Sequence, residues 1–158
     1  PYLEVSTKFE AFDRTLDREE ALQISNLTEE EFDAILDCVL KIDAIIETEA
    51  GARGLIHVDG KKEFALGKDR RPVLVDSFGT LDEDRWWDAE TYASGEIVSL
   101  SKEFVREHYI ASSHHKELYS AREEGREEPP IPALPQEIID KTAALYSSMF
   151  ERLTGQQF

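Results

Sequence analysis

The stretch GLIHVDGKKEFALGKDRRPVLVDSFGTLDEDRWWD, residues 54–88, holds both strand-like runs of the chain and most of its candidate chemistry. Leu55, Ile56 and Val58 build the first run (54–65), and Val73, Leu74 and Val75 the second (72–78). Between them lies Gly67-Lys68-Asp69-Arg70-Arg71, and a charged, glycine-led turn joining two apolar runs predicts a β-hairpin. Asp59, Lys61 and Glu63 alternate along the first run, which puts all three on one face of a strand. Asp76 ends the second run, where the hairpin brings its carboxylate beside Glu63 or near it. Two close carboxylates with a lysine between them suit Mg²⁺ on a phosphate, because hard oxygens match the ion and a nucleotide's phosphates complete its octahedron. The lysine then neutralises charge on a phosphate or carboxylate oxygen. A solvated hairpin face accounts for the same alternation, and the pattern alone leaves both readings open.

Outward from this window the chain reads as helices. Residues 1–14 are an extended, charged entry, followed by a helix from Asp17 that breaks near Ser25–Asn26. Thr28 and Glu31 have the spacing of a capping box, and Phe32, Ile35, Leu36, Val39, Leu40, Ile42, Ile45 and Ile46 give the next helix an apolar side ending near Gly51. Cys38 on that helix reads as a structural thiol. Residues 79–98 look loop-rich, and of Trp86 and Trp87 one packs under the loop and the other is exposed, or they stack on a base. A helix starts near Ser101, His114 and His115 form a solvated helix end, and residues 115–133 run from AREEGREE into a proline-rich excursion. Pro135 opens a last helix that stops before Gly155. The order helix, hairpin, helix, helix is an α+β arrangement.

Composition bounds the function. The 158 residues are enough for one domain with a modest core or for a piece of a larger one. With 34 acidic and 18 basic residues the formal charge is −16, which repels a phosphate backbone and argues against nucleic acid as a partner. No apolar run is long enough for a membrane span, and one cysteine cannot form an internal disulfide framework, so a cytoplasmic location is expected. The chain opens on Pro1 rather than Met, which permits a continuation from upstream residues.

Read together, several segments resemble the phosphoribosylaminoimidazole-succinocarboxamide synthase (SAICAR synthetase) family, most closely its archaeal branch. The family's Asp-x-Lys-x-Glu-Phe strand is met by Asp59, Lys61, Glu63 and Phe64, and its apolar run into Asp-Glu by Val73-Leu74-Val75-Asp76. Its Thr/Ser-Pro-Asp-x-x-Arg-x-Trp segment is met by Thr80-Leu81-Asp82-Glu83-Asp84-Arg85-Trp86-Trp87. PYLEVSTKFEAFD, SLSKEFVREHY and LPQEIIDKTAALYSSMFERLTG resemble flanking segments in the right order. The chain departs from the pattern at Ser77, where the family carries glutamate, and at Leu81, where it carries proline.

The resemblance implies an ATP-dependent ligase of purine biosynthesis joining L-aspartate to carboxyaminoimidazole ribonucleotide. By position, Glu63 and Asp76 would hold Mg²⁺ on the ATP phosphates. Lys61 and Asp59 would meet the imidazole substrate, Arg85 would take its ribose phosphate, and Asp82 and Asp13 would also bind substrate. A guanidinium fork suits the phosphate. The family's β-rich, ATP-covering N-terminal lobe has no counterpart in residues 1–158, so the chain reads as a C-terminal portion, one domain that works with that lobe in cis or in trans. Two other readings are a relative acting on another carboxylate and amine, motivated by Ser77, and a non-catalytic acidic interaction module presenting Pro129–Pro135.

Overall fold

The computed structural model describes residues 1–10 and 12–158. Its elements, in chain order, are β1 (Val5–Ser6), β2 (Thr15–Leu16), α1 (Arg18–Ser25), α2 (Glu29–Gly51), β3 (Leu55–Gly60), β4 (Phe64–Leu66), β5 (Pro72–Leu74), β6 (Asp84–Asp88), α3 (Ala89–Ala93), α4 (Glu103–Ala111), α5 (His114–Glu123) and α6 (Gln136–Thr154). They form an α+β chain with antiparallel strand pairs, grouped into two compact units: residues 1–46 with 62–77, and residues 47–61 with 78–158.

In the first unit the entry segment is a small hairpin rather than a plain extended run. Val5 lies opposite Leu16, and Thr7 N–H donates to the Arg14 carbonyl at 3.0 Å. Ala11 of that segment lies outside the described residues. Asp17 caps α1 by accepting from Glu20 N–H at 2.8 Å, and Asn26 closes it at φ 57°, a left-handed conformation that asparagine tolerates. The expected capping box is present: Glu31 accepts from Thr28 N–H at 2.9 Å, and Thr28 Oγ1 accepts from Glu31 N–H at 3.2 Å. Along α2 Phe32 is buried and Ile35, Leu36, Val39, Ile42 and Ile46 are half-buried, as is Cys38. Leu40 and Ile45 are exposed, so the apolar face is narrower than its spacing suggests. β4 and β5 pair as a hairpin with Phe64 opposite Leu74. Gly67 N–H donates to the Arg71 carbonyl across its turn, and Arg70, at φ 59°, sends its guanidinium to Glu31.

In the second unit β3 pairs with β6, Leu55 opposite Asp88 and Asp59 opposite Arg85, with a bulge between His57 and Asp59. This corrects the single hairpin expected over 54–78. The first run breaks at Lys61–Glu63 because its two halves bond different partners, β3 to β6 and β4 to β5. The stretch 79–98, expected as loop, supplies β6 and α3. Leu55, Leu81, Trp86, Ala121 and Met149 are buried and make the core of this unit. The excursion expected from residue 115 starts later, since α5 continues through Glu123 on helix-favouring Lys, Glu, Leu, Ala and Arg residues until Gly125 adopts φ 63°. The proline segment is tied down by Tyr109, whose hydroxyl donates to the Pro132 carbonyl at 2.8 Å. His114 is buried against the Tyr109 ring and His115 stacks on Tyr119, so this pair is not the solvated helix end expected of it. On α6, Ile138, Leu145, Tyr146 and Leu153 are half-buried around Met149, while Ile139 and Phe150 face solvent. Among the described residues no helix is long and apolar enough to cross a membrane.

Candidate active site

Within the first unit the candidate metal ligands stand at the open end of the β4–β5 hairpin. Val75 N–H donates to the Glu63 carbonyl at 3.0 Å, so Asp76 follows the residue bonded to Glu63. The Glu63 carboxylate, largely shielded from solvent, is met by the Lys8 ammonium. Asp76 is exposed and accepts from Ser77 N–H at 2.8 Å. Asp13 is exposed between β1 and β2. No cluster of three or more His, Cys, Asp or Glu side chains able to hold a metal occurs among the described residues. Two hard carboxylates nevertheless suit Mg²⁺, which commonly takes one or two carboxylates and completes its shell with phosphate and water.

Within the second unit the ladder decides the geometry. Asp59 and Arg85 are directly opposed on β3 and β6, and their side chains pair at 3.0 Å, both about half exposed. Glu103 of α4 approaches the same guanidinium at 3.6 Å and also accepts from Arg106 at 2.7 Å. Lys61 lies just beyond β3, outside any strand, and is exposed. The expected common face of Asp59, Lys61 and Glu63 is therefore not formed by strand alternation, because the strand ends at Gly60.

Asp82 sits in the turn before β6 and accepts from Tyr146 Oη, reaching over from α6, at 2.7 Å. Desolvation, with the Asp82 carboxylate adding to it, pushes the Tyr146 phenol up to about 12. Leu81 makes sense of its place in this turn: its side chain is buried and its carbonyl accepts from Lys102 N–H at 3.2 Å. Of the two tryptophans Trp86 is the one buried under the turn, its indole N–H donating to the Thr80 carbonyl at 3.4 Å, while Trp87 is half-buried and stacks on Tyr92.

Residues 1–121 match the family profile described as SAICAR synthetase. The chain belongs to the SAICAR synthetase family. A Thermoplasma acidophilum relative named phosphoribosylaminoimidazole-succinocarboxamide synthase is 54% identical over all 158 residues, and a Thermoplasma volcanium relative of the same name is 50% identical over the same span. Each alignment takes in 54% of the relative, so the chain spans about half the length of the curated relatives it matches. The fold is similar to that of the SAICAR synthetase of Pyrococcus horikoshii OT3, with a TM-score of 0.68 at 24% identity over 100% of this chain and 53% of that one. It is also similar to the SAICAR synthase of Saccharomyces cerevisiae complexed with SAICAR, with a TM-score of 0.71 at 24% identity over 92% of this chain and 45% of that one.

For a member of this family the structure adds side chains that residue spacing did not single out. Lys8 on Glu63, Glu103 on Arg85 and Tyr146 on Asp82 all come from elements distant in sequence. Tyr146 gave only an apolar-face signal, and its hydroxyl partner lies 64 residues away.

Proposed function

We propose that the chain is the part of an ATP-dependent carboxylate–amine ligase of purine biosynthesis that receives carboxyaminoimidazole ribonucleotide and contributes to binding Mg²⁺ and the ATP phosphates. The reading is supported above all by the 54% identity, through all 158 residues, with a relative bearing the synthase name. The γ-phosphoryl of ATP passes to a carboxylate oxygen of the ribonucleotide, giving an acyl phosphate and ADP. The amine of L-aspartate then attacks the acyl carbon; a C–N bond forms, the C–O bond to phosphate breaks and the amine loses a proton. In this reading the chain works in the cytoplasm together with an ATP-covering N-terminal lobe.

The roles are those the family resemblance implies, and the chemistry of the residues supports them. Arg85, on the rigid β3–β6 ladder, offers a guanidinium fork for the ribose phosphate, with Asp59 across from it holding the fork's plane. Asp59 and Lys61 meet the imidazole carboxylate region, where the lysine offsets charge that develops during acyl transfer. Glu63 and Asp76 would hold Mg²⁺, with Lys8 keeping the Glu63 carboxylate compensated until then. When bound, the ion neutralises the ATP phosphates and polarises the phosphoryl group in transfer. Asp82, oriented by Tyr146, and Asp13 offer acceptors to the substrate's donor groups.

Phosphate release by the complete protein, with ATP, Mg²⁺, carboxyaminoimidazole ribonucleotide and aspartate each left out in turn, tests the reading. Release that requires all four is expected. Release that continues without aspartate, or that another amine supports better, overturns it.

A further inference from the structure

Asp84 opens β6, and its side chain is completely shielded from solvent. Its Oδ2 accepts from Gly79 N–H at 2.7 Å and lies 3.3 Å from Nε2 of His57, whose side chain is only 5% exposed. The His57 ring packs on Trp86, its cross-strand partner, with centroids 4.9 Å apart. A carboxylate removed from water is costly unless opposed by donors or positive charge. Well-packed apolar residues would stabilise such a place at least as well, so stability alone does not account for the pair.

Its position suggests what it does. The turn 79–84 is closed on itself: Asp84 N–H donates to the Thr80 carbonyl at 3.0 Å, Glu83 N–H to Thr80 Oγ1 at 3.3 Å, and Gly79, at φ 77°, is held by the Asp84 carboxylate. That turn carries Asp82 and leads straight into Arg85. His57 stands two residues before Asp59, on the far side of the β3 bulge. One buried contact, beside the β3–β6 ladder, therefore ties the strand bearing Asp59 to the turn that bears Asp82 and leads into Arg85.

We propose that His57 and Asp84 form a buried latch that positions Arg85 and Asp82 for the phosphate-bearing substrate. Both are positioning residues, acting through the turn rather than touching substrate. The assignment rests on the ribonucleotide reading above, and its test separates the two. In the complete protein, His57→Leu should raise the KM for the ribonucleotide about tenfold and leave the KM for ATP within about twofold. His57→Gln, which returns a polar nitrogen to the place of Nε2, should recover most of that loss. Asp84→Ala should raise the same KM by more, and the double variant should be no worse than Asp84→Ala alone, because one contact cannot be lost twice. Equal effects on both KM values, additive losses, or His57→Gln as impaired as His57→Leu would overturn the latch. Amide exchange at Gly79 reads the latch without catalysis and should quicken about tenfold in His57→Leu; unchanged exchange would overturn it even if kinetics moved. Arg85→Ala, measured alongside, isolates the other failure. If it leaves the ribonucleotide KM unmoved while Gly79 exchange responds to His57→Leu, the substrate reading is wrong and the latch stands as a clamp on the turn.

Discussion

Arg152 offers the most direct test of how the second unit is held. From the last turn of α6 its Nε donates to the Arg53 carbonyl at 2.9 Å, its Nη2 to the Gly54 carbonyl at 2.7 Å, and its Nη1 to Asp88 at 2.9 Å. One guanidinium thus spans the entry to β3 and the exit from β6, the strands that carry Asp59 and Arg85. Arg152→Met keeps most of the stem and removes all three donors. The Gly54 carbonyl still accepts from Ala89 N–H, and Asp88 still caps α3, so the loss falls mainly on the two carbonyl bonds. At about 1 kcal/mol each, discounted for the partner Gly54 retains, the cost is about 1 to 2 kcal/mol. That corresponds to a Tm lower by roughly 2 to 6 °C in a protein of this size or larger. Arg152→Lys should recover less than half of it, because an ammonium cannot serve three acceptors set in a planar fork. Thermal and urea melts of the complete protein with both variants decide the matter. A Tm unchanged by Arg152→Met, or fully restored by Arg152→Lys, would refute the three-way tie. Gly54 belongs to the same account: it sits at φ 70°, and a Cβ there would come within 2.9 Å of Arg152 Nη2.

Arg85→Ala should raise the ribonucleotide KM by at least about tenfold while the ATP KM changes little, and equal changes in steady-state assays would contradict the phosphate role. Asp76→Asn should abolish Mg²⁺-dependent turnover and leave the circular dichroism spectrum intact; near-normal turnover would remove Asp76 from the metal site. Tyr146 should ionise late: desolvation first, then Asp82, raises its phenol to about 12, so a spectrophotometric titration should show Tyr146→Phe losing a phenol that titrates above the ordinary range. The neutral phenol is the form the fold prefers, so its contribution to stability is present below the unfolded value of about 10 and fades as pH climbs toward the folded one. The Arg70 guanidinium, followed by the Thr28 amide, holds Glu31 below the usual carboxylate range. Its contribution is therefore present above about pH 4.3 and lost as pH falls through the lower folded value, so the stability gap between wild type and Arg70→Gln should shrink on acidification in urea melts.

How far the sequence could be read depended on whether a signal was local. The capping box of Thr28 and Glu31, the stop at Gly155 and the Gly67–Arg71 turn each depend on a few adjacent residues, and all three are in place. The partner of the β3 run was not local. Leu55–Gly60 and Phe64–Leu66 look like one strand because alternation does not record which strand lies alongside. Pairing with β6 was hidden because Asp84–Asp88 has two tryptophans among three charged residues, which reads as loop until Trp86 is seen buried. The same limit applied to the site. Asp59 stood out by alternation and Arg85 only through the family resemblance, neither giving the register that opposes them, and nothing near Asp82 pointed to a hydroxyl on α6.

Charge explains why these contacts take the form they do. On the proposed function, a chain of net charge −16 would meet its anionic substrates through cations held at fixed points rather than a diffuse positive surface. Arg85 is held by Asp59 and approached by Glu103; Lys8 is held by Glu63. Such pairs contribute little to stability where water reaches them, so an arriving phosphate or cation can displace one partner at small cost. In the proposed reading, the carboxylate that a phosphate would release stays beside the guanidinium, and an ammonium that a metal ion would displace leaves an acceptor already shielded from solvent. Asp84 differs from both because water does not reach it. Its contact with His57 is not open to solvent, and it sits where a fixed turn, rather than a mobile one, would hold Asp82 and Arg85 at a set distance from each other.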